Sequence, residues 1–407
     1  MNNGFNRRLF IFLQLLMMAG CGNENADTQA VLRTYTDIAY AAYDDSYRSA
    51  LKLQKAVDEF LQAPDPVSHE KAKQAWLQAR NPYGQTEVFR FGNANVDAWE
   101  GNVNSWPLDE GLIDYVADSY EYEEGNPHAA ANIIAGAEPI TIELLRDYQE
   151  KDGAEANVAT GYHAIEFLLW GQDFNRQTSD QGLRPYTDYA LGEACSNNHC
   201  ERRRAYLKTV TDLLVSDLKQ MADDWAPERD NYRSKFLQNK PADGLRIMFF
   251  GMGSLSLGEL AGERMNVALL SGSQEDEHSC FSDNTHMDIQ NNAQGIRNVY
   301  LGEYRRLDGV MVSGPSLSTL VQKRSPDMDN KLRRQLDETA EKVFAIVQTA
   351  RSGTAFDQQI LPENTMLYAG VKAAIDALRA QTETLEMAAR LAGVENLTAQ
   401  GSDSFNN

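Results

Sequence analysis

Basic residues, cysteines, histidines and strand-like alternation are all scarce in this chain. Lysine and arginine total 38 against 59 acids, a formal net charge of −21 over 407 residues. A surface of that sign repels nucleic acid and anionic headgroups and favours cations in general, so no nucleic-acid partner is expected. The negative field also serves solubility and does not by itself mark a metal site. Alternating apolar and polar runs are nearly absent, which leaves helices as the building material. The one long apolar run, Leu9 to Met18, is too short to cross a membrane comfortably.

Arg7 and Arg8 precede that run and Met18-Ala-Gly-Cys21 follows it. A positive start, a short apolar stretch and small residues before a cysteine read as a lipoprotein-type signal over residues 1–20, with Cys21 as the lipidated residue. Arg7-Arg8-Leu-Phe is a partial twin-arginine match and a secondary reading. Residues 1–20 carry two arginines and no acid, so their removal shifts the charge from −21 to −23. The protein is therefore expected in the cell envelope, held to a membrane by a lipid anchor only, at the outer membrane. In such a compartment Cys195 and Cys200, which bracket Ser-Asn-Asn-His, are expected to form a local disulfide. A Cys/His metal knuckle using His199 lacks a second Cys or His pair nearby. Cys280 is left over, as a buried thiol or half of another pairing.

Beyond a polar tether (residues 21–27), helical periodicity starts at Thr28, with Val31, Tyr35, Ile38, Ala42 and Tyr43 on one side. Pro64-Asp-Pro66 ends that helix. Ser68 is the expected N-cap of the next, which Asn81-Pro82-Tyr83-Gly84 breaks or bends. Residues 91–127 read as an ordered aromatic excursion and 129–150 as helix. A polar stretch with Pro227 and Pro241 marks a boundary between a first bundle (28–232) and a second (240–395), and 396–407 reads as a disordered tail. The fold expected is all-α, two consecutive helical bundles with long irregular inserts.

The most informative stretch is Gly161-Tyr-His-Ala-Ile-Glu-Phe-Leu-Leu-Trp-Gly171. His163 and Glu166 are three apart and share a helix face, while apolar residues cover the rest of the circumference. A carboxylate there must be paired, protonated or metal-bound. A core His–Glu pair would satisfy that requirement, as would half of a metal or ligand site inside a bundle. The stretch resembles the Gly-x-His-x-x-Glu signature of the imelysin family, in its iron-regulated, IrpA-like subgroup. The likeness continues through Arg184-Pro-Tyr-Thr-Asp188, Gly258-Glu-Leu-Ala-Gly-Glu-Arg264, Ser279-Cys-Phe-Ser-Asp-Asn-Thr-His286 and Asn292-Ala-Gln-Gly-Ile-Arg-Asn298. It implies the two-bundle fold, an iron link and a classification as metallopeptidase.

Further contributors are expected from both bundles. Glu87 and Arg90 form either a solvated pair or part of the family's first-bundle motif. Glu259 and Glu263 lie four apart beside Arg264, so their repulsion calls for a cation or an arginine between them. Glycines 251, 253, 258 and 262 allow close helix approach. Asp283, His286 and Asp288 could cap the helix starting near Thr285. The working set is His163, Glu166, Glu87, Glu259 and Asp283 around a metal, with Arg90, Glu263, Arg264 and His286 contacting ligand. Carboxylate-rich ligation suits iron, manganese or calcium; the resemblance implies iron first, with zinc or calcium as alternatives.

A zinc peptidase needs a second histidine: the inverted motif would place it where Phe167 stands, and His286 is the remaining donor. Three functions follow: an envelope metal-binding protein of iron acquisition, with a protein partner in the uptake system; an envelope zinc metallopeptidase; or a non-catalytic receptor with a structural His–Glu pair.

Overall fold

The computed structural model describes residues 5–122, 125–174 and 181–401, with side chains from Asn25 onward. The architecture is all-α. Helix α1 (Phe5–Gln62) packs its stripe of Tyr35, Ile38, Ala42, Leu53, Val57 and Phe60 against α2 (Pro66–Gly84). The backbone of the expected tether continues this helix, and Asp27 pairs with Lys323 at 2.6 Å. The Cys21 side chain lies outside the described residues. Asp65, not Ser68, caps α2: Asp65 accepts the Val67 and Ser68 N–H groups at 2.8 Å each, and Ser68 returns a bond to the Asp65 N–H. Asn81–Gly84 forms the last turn of α2, with Pro82 inside it, so the chain bends only after Gly84.

Helices α3 (Ala94–Asn104), α4 (Gly161–Trp170) and α5 (Cys200–Trp225) complete the first bundle. The expected helix over 129–150 is confined to Ile142–Tyr148, capped by Thr141. Pro139 and a left-handed Asn132 (φ 44°) keep the preceding residues irregular.

In the second bundle α6 (Pro241–Ser254) runs directly into a π-helix (Leu255–Val267). Helices α7 (Thr285–Leu301), α8 (Pro326–Arg351) and α9 (Thr365–Leu391) follow. Strands β1 (Glu303–Arg305) and β2 (Met311–Ser313) pair antiparallel, Tyr304 opposite Val312.

The two bundles share one core. A single cluster of buried side chains runs from Val31 to Leu397, and a smaller one fills the space among the π-helix, α7, α8 and α9. The stretch expected as a boundary holds a short helix, Tyr232–Gln238, whose Phe236 is buried and whose Tyr232 hydroxyl donates to Asn93 at 2.8 Å. Residues 396–401 are packed, contrary to the expected tail. Leu397 and Ala399 are buried, and the Gln400 N–H donates to Ser254. Residues 402–407 lie outside the described residues.

Candidate ligand-binding centre

Helix α4 is buried on every side, which its composition requires. Gly161 starts it at φ +81°, and a Cβ there would sit 2.5 Å from the Val103 carbonyl. Glycine is therefore needed twice over, for the left-handed backbone and for contact with α3. This places the His163 and Glu166 face against residues 278–288 of the second bundle.

The His163 Nδ1 lies 2.8 Å from Glu166 Oε2. The other carboxyl oxygen accepts the Ser282 N–H at 3.0 Å and its hydroxyl at 2.7 Å. Burial pushes the Glu166 carboxyl up to about 8. Burial, and then the neighbouring His278, hold the His163 imidazole well below its ordinary value. The pair is thus uncharged near neutrality, with its orientation fixed by Ser282. The His163 Nε2 is buried and has no hydrogen-bond partner.

The ring facing His163 belongs to His278, edge to face at 4.6 Å between centroids. His286, the histidine expected as second donor, instead faces the Asp283 carbonyl at 3.0 Å within its own turn. Asp283 occupies that turn in a left-handed conformation (φ 56°). His278 Nδ1 lies 2.9 Å from Asp288, and burial lowers its pKa to about 4. Asp288 does not cap α7. It is wholly buried and receives Arg80 at 3.0 and 3.2 Å together with the Ser279 hydroxyl. Burial opposes its charge, yet Arg80 and His278 hold it far below the usual carboxylate range.

A chain of polar contacts continues across both bundles. Arg80 donates to Asn104 at 2.6 Å, Asn104 donates to Glu100 at 3.1 Å, and Glu100 pairs with Arg90 at 3.2 Å. Arg90 lies 3.6 Å from Glu259, which lies 3.0 Å from Arg264, and Arg264 pairs with Glu87. The wide π turn brings Glu259 and Arg264, five residues apart, onto one face. The structure therefore gathers Glu87, Arg90, Glu259 and Arg264 but gives the two acids to arginines, so neither is positioned as a metal ligand. Arg264 bridges Glu87 and Glu259. Glu263 lines the adjoining cleft of about 680 Å³ with Arg90, Glu100 and Glu259. Gly251 and Gly258 serve packing: a Cβ would meet the Val88 carbonyl at 2.6 Å and the Gln400 carbonyl at 2.7 Å.

Sequence reasoning gave no site role to Arg80, Asn104, His278, Ser282 or Asp288, the last of them read as a helix cap. Arg80 had a legible signal, since Trp76, Arg80 and Tyr83 follow a core stripe that admits a charge only with a buried partner. His69 is buried against Phe60 with its Nε2 2.9 Å from the Leu169 carbonyl. The Cys195–Cys200 disulfide is formed and Cys280 is a free thiol.

The chemistry open to this centre follows from its donors. Among the described residues no group of three or more His, Cys, Asp or Glu could hold a metal ion. His163 Nε2 can give a single donor bond once Glu166 has released its proton and Nδ1 carries the imidazole hydrogen toward it, the usual support behind a metal-bound histidine. A metal would then bring most of its coordination from water or from a ligand of its own.

A profile described as imelysin, peptidase M75, matches residues 39–385. The iron-regulated protein A of Synechococcus elongatus is 25% identical over 351 residues, covering 83% of this chain and 82% of that protein. Among solved structures, a Parabacteroides distasonis protein assigned as an iron-regulated protein A precursor has a TM-score of 0.67 at 21% identity, over 90% of this chain and 95% of the other. An imelysin-like protein of Psychrobacter arcticus has a TM-score of 0.57 at 12% identity, over 89% and 94%. Both likenesses establish the fold.

Proposed function

The chain belongs to the imelysin family, and from that premise we propose an envelope protein that binds a metal ion or metal-containing ligand at His163 and takes part in iron acquisition or homeostasis. One observation carries the reading. His163 Nε2 is buried without a partner while its Nδ1 is held by a carboxyl group that Ser282 locks in place. A buried nitrogen without a partner calls for an explanation, and a bound ligand supplies one. The iron link is supported by the relative named iron-regulated protein A. Anchoring is supported by the signal-like first 20 residues and Cys21, and a protein partner in an uptake system is part of the proposal.

Hydrolysis has weaker support. A catalytic zinc takes three protein ligands, and the described residues offer no such group. Phe167 stands where an inverted zinc motif needs histidine. Elemental analysis after dialysis against iron, zinc and calcium in parallel tests the reading. Iron retained near one per chain supports it. Zinc retained in its place, with cleavage of unfolded substrate stopped by a chelator, would replace it with the peptidase.

A further inference from the structure

Glu277 is the group that neither the fold nor the His163–Glu166 pair explains. It is 3% exposed, and neither carboxyl oxygen has a hydrogen bond of ordinary geometry. Burial, with Asp357 and Asp283 nearby, pushes the group well above its ordinary value, although Thr285 opposes the shift. It lines, with His163, His278, Cys280 and Trp106, a chamber of about 20 Å³, room for one water-sized species. His163 and Glu277 therefore line the same chamber. Among the described residues no lysine or arginine lines it. The nearest arginines of the network are committed elsewhere, Arg80 to Asp288 and Arg264 to Glu87 and Glu259.

The approaches carry the same sign. The chamber lies between the cleft of about 680 Å³ and a second of about 890 Å³, with Pro107 lining all three and Asp276 both clefts. Among the described residues seven carboxylates line the first and six the second, Asp276 counted in each, and Arg90 is the only basic residue on either. Low-dielectric clefts lined by one sign concentrate the opposite sign and exclude their own.

We propose that Glu277 is a further binding residue of this centre and that the ligand it selects is a cation, a positively charged metal ion rather than an anionic chelate. The proposal builds on the reading of His163 as the binding residue. A cation in the chamber gives Glu277 the counter-charge that the folded chain withholds and gives His163 Nε2 its bond. An anionic complex meets an unpaired carboxylate at the end of an acid-lined approach.

The test uses the full chain and two probes, ferrous ion under anaerobic conditions and ferric citrate, in equilibrium dialysis. Wild type is compared with Glu277→Gln, Glu277→Met and His163→Ala, and metal-free thermal melting checks each fold. Wild type is expected to retain ferrous ion and to bind ferric citrate at least about tenfold more weakly. Either Glu277 variant should weaken ferrous binding by about tenfold or more. Its metal-free melting temperature should equal or exceed that of wild type, because burial holds the Glu277 carboxyl well above its ordinary value and the folded chain must keep it protonated where the unfolded chain ionises it. Ferric citrate bound as tightly as ferrous ion overturns the cation assignment. Unchanged ferrous affinity in a folded Glu277 variant, with loss in His163→Ala, overturns the role of Glu277 and leaves the proposed function standing. Unchanged affinity in all three variants overturns both.

Discussion

Three buried carboxyl groups, Glu166, Glu110 and Asp288, show how environment divides one chemistry into different states. Glu166 has two serine hydrogen bonds but no cation, so burial dominates and keeps it protonated near neutrality. Asp288 has Arg80 and stays charged. Replacing Arg80 by alanine would leave that charge buried and alone, and equilibrium urea unfolding should show a loss of about 3–5 kcal/mol. A loss under about 1 kcal/mol would mean that Asp288 is solvated or neutral. Glu110 is raised to about 7, by burial first and then by Glu275. A raised carboxyl contributes stability below its unfolded value, near 4.5, and loses it as pH rises through about 7. Glu110→Gln should therefore flatten the fall in melting temperature between pH 5 and pH 8, and an unchanged slope would refute the assignment. At this scale the sequence revealed His163 and Glu166, because a charge in an apolar helix is conspicuous. Asp288 stayed hidden because helix capping explained it locally, and its real partner is 208 positions away in α2.

Elements were legible where a periodic run was long and ended in turn chemistry, as at the Pro64-Asp-Pro66 end of α1. The helix expected over 129–150 failed because periodicity is blind to a left-handed Asn132 and a single proline. The π-helix was invisible for a related reason: glycines at 251, 253, 258 and 262 signal close packing but not a widened turn. The glycine that opens the motif has a sharper cause. Gly161→Ala combines a left-handed φ with a contact at 2.5 Å to the backbone of α3, so neither neighbour can yield cheaply. The cost should be about 1–3 kcal/mol or more, read by thermal melting. Because α4 carries His163, ligand affinity should fall with it. A Gly161→Ala protein with unchanged stability would show that α4 starts elsewhere.

For the whole molecule, composition and periodicity sufficed to expect an all-α fold, and the short hairpin is a minor departure. The linkage between the bundles was not legible. Polar residues and two prolines suggested a free boundary, whereas Tyr232 and Phe236 tie that stretch into the common core. Long-range burial of this kind leaves no local mark in a sequence. Two consequences can be measured. Calorimetry of the disulfide-intact protein should show one cooperative transition, whereas two resolved transitions would mean that the bundles fold independently. A fragment ending at residue 232 exposes the partners of α2 and leaves Arg80 without Asp288, so it should bind hydrophobic dye and lack near-ultraviolet dichroism.

In the proposed function the His163 Nε2, buried without a partner, is the binding atom. The direct measurement is metal affinity of the full chain against His163→Ala, with far-ultraviolet dichroism recorded on both. Loss of specific binding in a variant with unchanged helicity is the predicted result. Equal affinity in the two proteins would contradict the account and return the His–Glu pair to a structural role.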